Sequence, residues 1–577
     1  MADDRPFITG SSNGRQERTR RRARAKIYLK DPLVTKETGL LYDFVVVGSD
    51  TSIDEGPTSA RFITIDYDSA MDGVAPPVRQ HLKGVDLSRM KREPFYEFEA
   101  QRGTPQEAQI NAWATAVDTL DFFQQPQVLG REIPWAFEGS RLRILPHAFY
   151  EANAFYSRQT RALHFGYFHG KDGRVVKTAL SHDIVSHETS HAILDGLRPF
   201  YLNSVIPDTR AFHEFIGDLG AMLSLFRYRE MLAHMTTSSR QDASFLDLIA
   251  DLAPQVGEGL YGDADRSFLR SADNTLTYRE LRGEEEIHRR SQVMSGFAFD
   301  LFKAIFERER ERRKKLYGGK RSPEVFRILM TTARVIGRML LRSLDLLPPG
   351  GIDFKEYTAV VLHLDREDHP DDKFGYRGAM EAAMRKRGVY PGASDNAPAM
   401  RPERRMLEQK MVERNIHMIR SSRVGAYRFL DANRALFHIP KDRDFRVVGV
   451  ATNRREAELG YRPPSQTIIQ YVWDERVPLP KEFRRPDLDS ILFPAGGTLA
   501  VDDNVNLAFW IRQELNEEKR KALGGRILKL IGDHAVEFAP SRGLRSGRPF
   551  MMQHVGTSQG RLQLNTARMH DGRAGRR

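Results

Sequence analysis

Residues 181–200 read SHDIVSHETSHAILDGLRPF, and this stretch decides how the rest of the chain is understood. His187 and His191 stand four positions apart, and Glu188 directly follows the first histidine. Ser181 offers an N-cap and apolar residues flank the histidines, so the stretch predicts an α-helix. On a helix the two histidines share one face and point at one ion, while the glutamate reaches a water held there. The stretch therefore predicts a zinc site that performs hydrolysis.

A third ligand is expected, because a catalytic zinc ion usually has three protein ligands and one position for water. The next predicted helix carries Glu214 and Asp218, again four apart, beside an apolar stripe. Carboxylates in such a place are costly unless they are paired or bind a metal. We predict Glu214 as the third ligand and Asp218 as the acceptor of a ligating histidine N–H. The alternative is chance: three polar residues on one helix and two acids at the rim of the next.

The composition limits the ligands and the expected partners. The chain has 577 residues and no cysteine, which excludes thiolate ligands and predicts about two to four domains. No apolar run is long enough to span a membrane and no signal peptide is visible, so a cytoplasmic protein is expected, with non-classical export as the alternative. The net charge is +12. No nucleic-acid-binding motif accompanies it, so we expect neither membrane nor nucleic acid as a partner.

Composition and periodicity divide the chain into five segments. Residues 1–38 are basic and are predicted to form a disordered tail. Residues 39–180 combine strands with one helix, and residues 181–390 are mainly helical and carry the zinc residues. Residues 391–405 are rich in proline and are predicted to be a linker. Residues 406–577 mix strands with a helix and end in a basic tail, and their role is open.

Three sequence features together resemble one known family. His-Glu-x-x-His is followed by Glu-x-x-x-Asp on the next helix, and residues 153–156 read Asn-Ala-Phe-Tyr upstream of both. This combination resembles the thermolysin-like gluzincin zinc metallopeptidases, over residues 100–385. The resemblance implies an α+β, two-lobe zincin fold, with a mixed β/α N-terminal lobe and a mainly helical C-terminal lobe. In this chain an additional C-terminal α/β region would follow.

The resemblance also implies an activity. It implies a zinc-dependent endopeptidase in which Glu188 is the general base for a metal-activated water. Asn153 and Ala154 would hold the peptide or protein substrate as an added strand. The alternative function is a catalytically weak zincin-fold protein that serves as a binding scaffold.

The residue that stabilises the oxyanion is left open. The family uses a tyrosine from the loop between the two zinc helices and a histidine shortly before a later helix. Tyr201 lies in that loop of this chain. Near the later position, both His288 and Gln292 are candidates, because Gln292 has the family's spacing and His288 has the right side chain. The sequence leaves cleavage specificity, calcium binding and oligomeric state open as well.

Overall fold

The structure is a computed structural model, and its described part is interrupted by several gaps. It describes residues 21–38, 43–50, 53–83, 95–202, 204–238, 245–261, 268–316, 325–392, 405–406, 419–420, 422–453, 465–478, 490–503, 506–513, 520–521, 523–525, 555–558 and 561–564. Residues 1–20 of the predicted tail, most of the predicted linker and most of the C-terminal basic tail lie outside the described residues.

The described residues form a mixed α/β fold, as expected. The α-helices are α1 (Pro32–Thr38), α2 (Pro105–Gln124), α3 (His182–Leu197), α4 (Pro207–Ser224), α5 (Arg229–Ser238), α6 (Phe245–Ala250), α7 (Pro254–Tyr261), α8 (Ile287–Leu316), α9 (Val325–Ile336), α10 (Phe354–Asp368), α11 (Tyr376–Arg387) and α12 (Arg423–Ala432). The strands are β1 (Arg21–Ile27), β2 (Asp43–Asp50), β3 (Phe62–Thr64), β4 (Tyr67–Asp68), β5 (Gly73–Val74), β6 (Gln80–Lys83), β7 (Phe95–Phe98), β8 (Leu142–Tyr150), β9 (Ala154–Ser157), β10 (Ala162–His169), β11 (Val175–Lys177), β12 (Asp251–Leu252), β13 (Arg270–Ser271), β14 (Arg405–Met406), β15 (Phe445–Asn453), β16 (Gln466–Pro478), β17 (Ser490–Asp502), β18 (Asn506–Gln513), β19 (Val555–Ser558) and β20 (Arg561–Leu564).

The N-terminal segment differs from the expected disordered tail. Residues 21–38 contain β1 and α1, and β1 is an inner strand of a sheet with the order β2-β1-β7-β6. The basic run RRARAKI alternates cationic with apolar residues, so a strand turns Ala23, Ala25 and Ile27 to one face, where they are fully buried. The high charge of this segment concealed its strand periodicity.

A second sheet carries β9, the strand that lies beside the predicted zinc ligands. Its order is β11-β10-β8-β3, and β9 pairs antiparallel with β10. Helix α2, predicted from its apolar repeat, has a largely buried surface, and its fully buried Trp113 packs edge-on against Phe98 of β7 in the first sheet. Strand β9 therefore lies at the boundary between the sheet and the helices that follow it.

Helices α3 and α4 pack unusually closely because α4 has two glycines at the contact. A Cβ added at Gly217 would lie 2.5 Å from the imidazole of His187, and one added at Gly220 would lie 2.2 Å from Ser190 Oγ. Both glycines are on the same face of α4, three residues apart. The absence of side chains at these two positions lets the backbone of α4 approach the side chains of α3.

The C-terminal sheet has the order β14-β18-β17-β16-β15 and two apolar faces. One face packs with α12 in a cluster of its own, and the other face joins the main core through Ile468, Ala500, Phe509 and Ile511. Because the main core runs continuously from β1 to β18, the expected division into two lobes stays a prediction. In the part of the chain that the structure describes, no helix has the length and apolar character that a membrane span requires.

Candidate metal centre

Helix α3 presents the two predicted histidine ligands on one buried face. The helix begins after Ser181, whose side chain accepts a hydrogen bond from the Ile184 amide, as an N-cap does. His187 and His191 follow at helical spacing, and both side chains are buried. One ring nitrogen of each histidine and a carboxylate oxygen of Glu188 all lie within 4.8 Å of one another.

Glu214 of α4 faces both histidines. Its Oε2 lies 3.3 Å from His187 Nε2, and its Oε1 lies 3.5 Å from His191 Nε2. Zinc binds histidine nitrogen and carboxylate oxygen at about 2.0–2.2 Å, so neighbouring ligand atoms of a tetrahedral site are about 3.3–3.6 Å apart. The donor types and these separations fit a zinc ion held by two histidines and one glutamate.

Glu188 is close to the same point but is held differently. Its Oε2 accepts a hydrogen bond of 2.9 Å from the backbone amide of Tyr156 on β9. This contact directs the carboxylate towards the edge strand, whereas both oxygens of Glu214 face the histidines. This arrangement is compatible with Glu214 as the predicted third ligand and leaves Glu188 beside the two histidines.

Asp218 contacts His187 and Ser295. Its Oδ1 lies 3.1 Å from His187 Nδ1, the ring nitrogen that faces away from Glu214, and its Oδ2 accepts a hydrogen bond from Ser295. Arg270, which the sequence analysis did not single out, donates to the same Oδ1 at 3.1 Å and approaches Glu214 at 3.6 Å. No local sequence signal marks Arg270, because it reaches the site from a short strand far along the chain.

His191, the second predicted ligand, also has a neighbour at its Nδ1. His213, which precedes Glu214 in the chain, lies with its Nδ1 3.3 Å from His191 Nδ1, and both rings are buried. When His191 binds a metal through Nε2, its Nδ1 carries the proton and donates, so His213 Nδ1 accepts. His213 is therefore suited to fixing the tautomer and orientation of His191.

Among the candidate oxyanion donors, His288 lies close to the site. Its Nε2 lies 3.4 Å from Glu214 Oε2, and its Nδ1 lies 2.6 Å from Glu286, a partner that the sequence analysis missed. Burial would raise the pKa of Glu286, but the hydrogen bond and charge of His288 outweigh it and lower the pKa to about 2. A carboxylate that stays ionised keeps the imidazole in one orientation.

Tyr201 does not fit the role that the resemblance implied for it. Its side chain is fully buried, and its hydroxyl donates a hydrogen bond of 2.7 Å to the carbonyl of Pro348. A hydroxyl committed to a buried carbonyl is not available to a substrate oxygen, so the prediction for Tyr201 is inconsistent with this geometry. Gln292 accepts through its backbone carbonyl from the side chain of Asn274.

Asn153 and Ala154 lie at the start of the edge strand. The Asn153 side chain accepts a hydrogen bond of 2.8 Å from the Ala154 amide. Farther along, Tyr156 and Arg158 both donate to Asp195 of α3, whose carboxylate is fully buried. These bonds fix β9 to the helix that carries both histidines.

The charge of the site favours a divalent cation. Three buried carboxylates, on Glu188, Glu214 and Asp218, face one guanidinium, on Arg270. Burial alone would lower the pKa of His187, but hydrogen bonds to Asp218 and Glu214 raise it to about 9. Burial raises the pKa of Glu188 to about 8. Near neutral pH, protons on His187 and Glu188 therefore compensate the negative charge of the carboxylates. A bound metal ion would take the place of these protons.

Comparisons with known proteins found similarity among solved structures only. No protein-family model matches the chain, and no curated protein matches its sequence. Among solved structures, one match is the precursor of protealysin, a metalloproteinase from Serratia proteamaculans, with 15% sequence identity and a TM-score of 0.34. The match covers 57% of this chain and 89% of that chain. A likeness this weak supports no conclusion about activity, which is argued below from this chain's own side chains.

Proposed function

We propose that this chain is a zinc-dependent endopeptidase. The observation that carries the proposal is the convergence of His187, His191 and Glu214 from two adjoining helices, with Glu188 beside them. Two imidazoles and a carboxylate suit zinc, and three protein ligands leave a position for water, as in catalytic rather than structural sites. Asp218 and His213 would orient the two ligating histidines.

The protein groups around the site would carry the steps of peptide hydrolysis. When bound, zinc would polarise the scissile carbonyl and lower the pKa of a water molecule. Glu188 would take a proton from the attacking water and deliver it to the leaving amine. Because Glu286 accepts from the Nδ1–H of His288, the Nε2 of His288 would donate to the oxyanion in the doubly protonated imidazolium form. The substrate would lie along β9 as an added strand, beginning near Ala154.

The decisive experiment compares metal content and cleavage in the wild type and in Glu188→Gln. The substitution keeps the shape of the side chain and removes its basicity, so the variant should retain about one zinc per chain. Cleavage of a denatured protein substrate should fall by about two orders of magnitude or more. Glu132→Gln, at an exposed position, is the matched control and should cleave normally. Equal turnover by Glu188→Gln would exclude this mechanism.

The position of Tyr201 favours one alternative function, a zincin-fold binding protein with little or no turnover. With the Tyr201 hydroxyl bound to Pro348, His288 is left to stabilise the oxyanion without the expected tyrosine. This alternative predicts stoichiometric zinc in the wild type without cleavage of any peptide or denatured protein. His288→Ala separates the two functions, because in an enzyme it should lower turnover about 100-fold while zinc is retained.

A further inference from the structure

We propose a second functional surface, where α8 ends and α9 begins, that binds an anionic phospholipid surface. We call it the α8–α9 corner. It comprises three exposed apolar side chains and five exposed cationic ones, namely Leu316, Phe326, Met330, Arg310, Lys314, Lys315, Arg327 and Arg334. Their chemistry, hydrophobic side chains among lysine and arginine, is that of peripheral membrane-binding helices.

The apolar side chains of the corner are unusually exposed. Leu316, Phe326 and Met330 have exposed fractions of 69%, 40% and 41%, although α9 otherwise buries its apolar residues. Phe326 and Met330 are four residues apart and share one face of α9. Exposed residues of this size that occur together mark a contact site more often than isolated ones do.

The two helix ends are joined directly at this place. Arg313 of α8 donates to the hydroxyl of Thr331 on α9 at 3.4 Å. Thr331 directly follows Met330, and Leu316 lies one turn beyond Arg313. The exposed apolar groups of the two helices therefore lie on neighbouring helix ends.

The charge of the corner selects an anionic partner. The last ten residues of α8 contain six lysines and arginines and three glutamates. One of these acids, Glu309, is fully buried in contacts with Arg312 and Tyr376, so it faces the protein interior. Another, Glu307, pairs with Arg310. The excess of cations over acids would attract anionic headgroups, and the apolar side chains would enter the interface.

The sequence analysis expected no membrane partner because the chain lacks a spanning segment. A peripheral contact needs no such segment, since basic residues and a few inserted apolar side chains are sufficient for reversible binding. A nucleic acid would also satisfy the charge, but it would leave Leu316 and Met330 without a function. The mixture of aliphatic and cationic side chains therefore favours the lipid surface.

The test is co-sedimentation of the full chain with vesicles of phosphatidylcholine containing about 30% phosphatidylserine, against pure phosphatidylcholine. We expect binding to the anionic vesicles only, and a loss of most of it between about 0.05 and 0.3 M salt. The charge reversal Lys314→Glu/Lys315→Glu should weaken binding about tenfold or more. Phe326→Ser/Met330→Ser should weaken it as well, with unfolding curves of both variants recorded to show that they are folded.

The matched control is Met71→Ser/Val74→Ser. These side chains have exposed fractions of 77% and 73% but lie in the β4–β5 hairpin beside Asp68 and Asp72, so the control removes exposed apolar area without basic neighbours. It should bind vesicles as the wild type does. Equal binding to both vesicle types, or unchanged binding by the charge reversal, would overturn the proposal. Binding of single-stranded DNA that the charge reversal abolishes, without vesicle binding, would assign the corner to nucleic acid instead.

Discussion

Single residues control how well the site can hold a metal. His187 is enclosed by Glu214 and Asp218 on α4 and by the guanidinium of Arg270. Gly217 lies between the two acids in the chain and faces the same ring. The position of the His187 ring is therefore determined as much by a missing side chain as by its hydrogen bonds.

Gly217→Ala should impair metal binding. The new Cβ would lie 2.5 Å from the His187 ring, and this overlap should cost about 1–3 kcal/mol. The better helix propensity of alanine returns only about 1 kcal/mol, so the ring should be displaced and zinc affinity should fall about 10–100-fold. Competition with a chelator measures the change. Gly73→Ala is the control, because its Cβ would meet nothing closer than 3.8 Å. Unchanged zinc affinity in Gly217→Ala would contradict the packing described here.

Protons should compete with the metal at His187. Its pKa is raised to about 9 in the metal-free protein, and a ligating imidazole must be deprotonated. Zinc affinity should therefore rise about tenfold per pH unit between about pH 6.5 and 9, for one proton released, and should level off above that range. Zinc titrations at several pH values, corrected for protonation of the competing chelator, test this. Asp218→Asn removes a hydrogen bond that raises the pKa of His187. In this variant the zinc affinity should therefore reach its maximum at a lower pH than in the wild type. An affinity independent of pH would contradict the expectation.

At the scale of elements, the segment that follows β1 contacts the start of α3, the helix that carries His187 and His191. After β1, Lys30 donates at 2.8 Å to Asp183, the second residue of α3, and at 2.7 Å to the carbonyl of Asp251. The Lys30 carbonyl accepts the amide of His182 at 2.7 Å. The first turn of α3 is thus positioned by a segment more than 150 residues away in the chain.

Lys30→Met should destabilise the whole protein. The side chains of Lys30 and Asp183 are 1% and 2% exposed, so the variant leaves a buried carboxylate without its cation, at a cost of about 3–5 kcal/mol. Urea unfolding measures the free energy of unfolding. Lys303→Met is the matched control: its pair with Asp273 is exposed and should contribute less than about 1 kcal/mol. Equal effects of the two substitutions would show that burial of the Lys30 pair is unimportant.

Elements with a clear periodicity were predictable from the sequence, and contacts between distant elements were not. Helix α3 begins at the expected N-cap, Ser181, and α2 follows its apolar repeat. The contact of Asp218 with His187 followed from helical spacing. Arg270 and Glu286 were missed because they reach the site from separate segments whose folding no local pattern reports. Tyr201 was assigned to the site from its position in the chain, which does not say where its side chain points.

At the scale of the whole molecule, the C-terminal sheet is part of the core. Thr498 of β17 donates to the carbonyl of Leu347 at 2.7 Å, one residue before the carbonyl that accepts the Tyr201 hydroxyl. Ile511 of β18 is fully buried in the cluster that also contains residues of α3 and α4. Unfolding of the sheet should therefore not be independent of the metal centre.

Ile511→Ala should reveal this coupling. Loss of the buried side chain should lower the free energy of unfolding by about 2–5 kcal/mol. Because the core is continuous, circular dichroism and release of bound zinc should follow one transition, displaced together to lower urea. Val424→Ala, at a side chain with 62% exposure, is the control and should change neither curve. An early transition of the sheet alone, with zinc released at the wild-type midpoint, would show instead that the C-terminal region folds on its own.

The carboxylate of Asp195 is shared by two hydrogen-bond donors, and this restricts how the three residues can change during evolution. Tyr156 of β9 and Arg158, which follows this strand, both donate to it. Mutation of Asp195 to an apolar residue would therefore remove the acceptor of a buried phenol and leave the Arg158 guanidinium only the carbonyl of Pro199. Substitution of Tyr156 or Arg158 alone would leave the buried carboxylate of Asp195 with fewer hydrogen-bond donors. Each single step thus passes through a destabilised intermediate. In related chains we expect these three positions to be inherited as a set or exchanged as a set, a pattern of covariation that an alignment of homologues would expose.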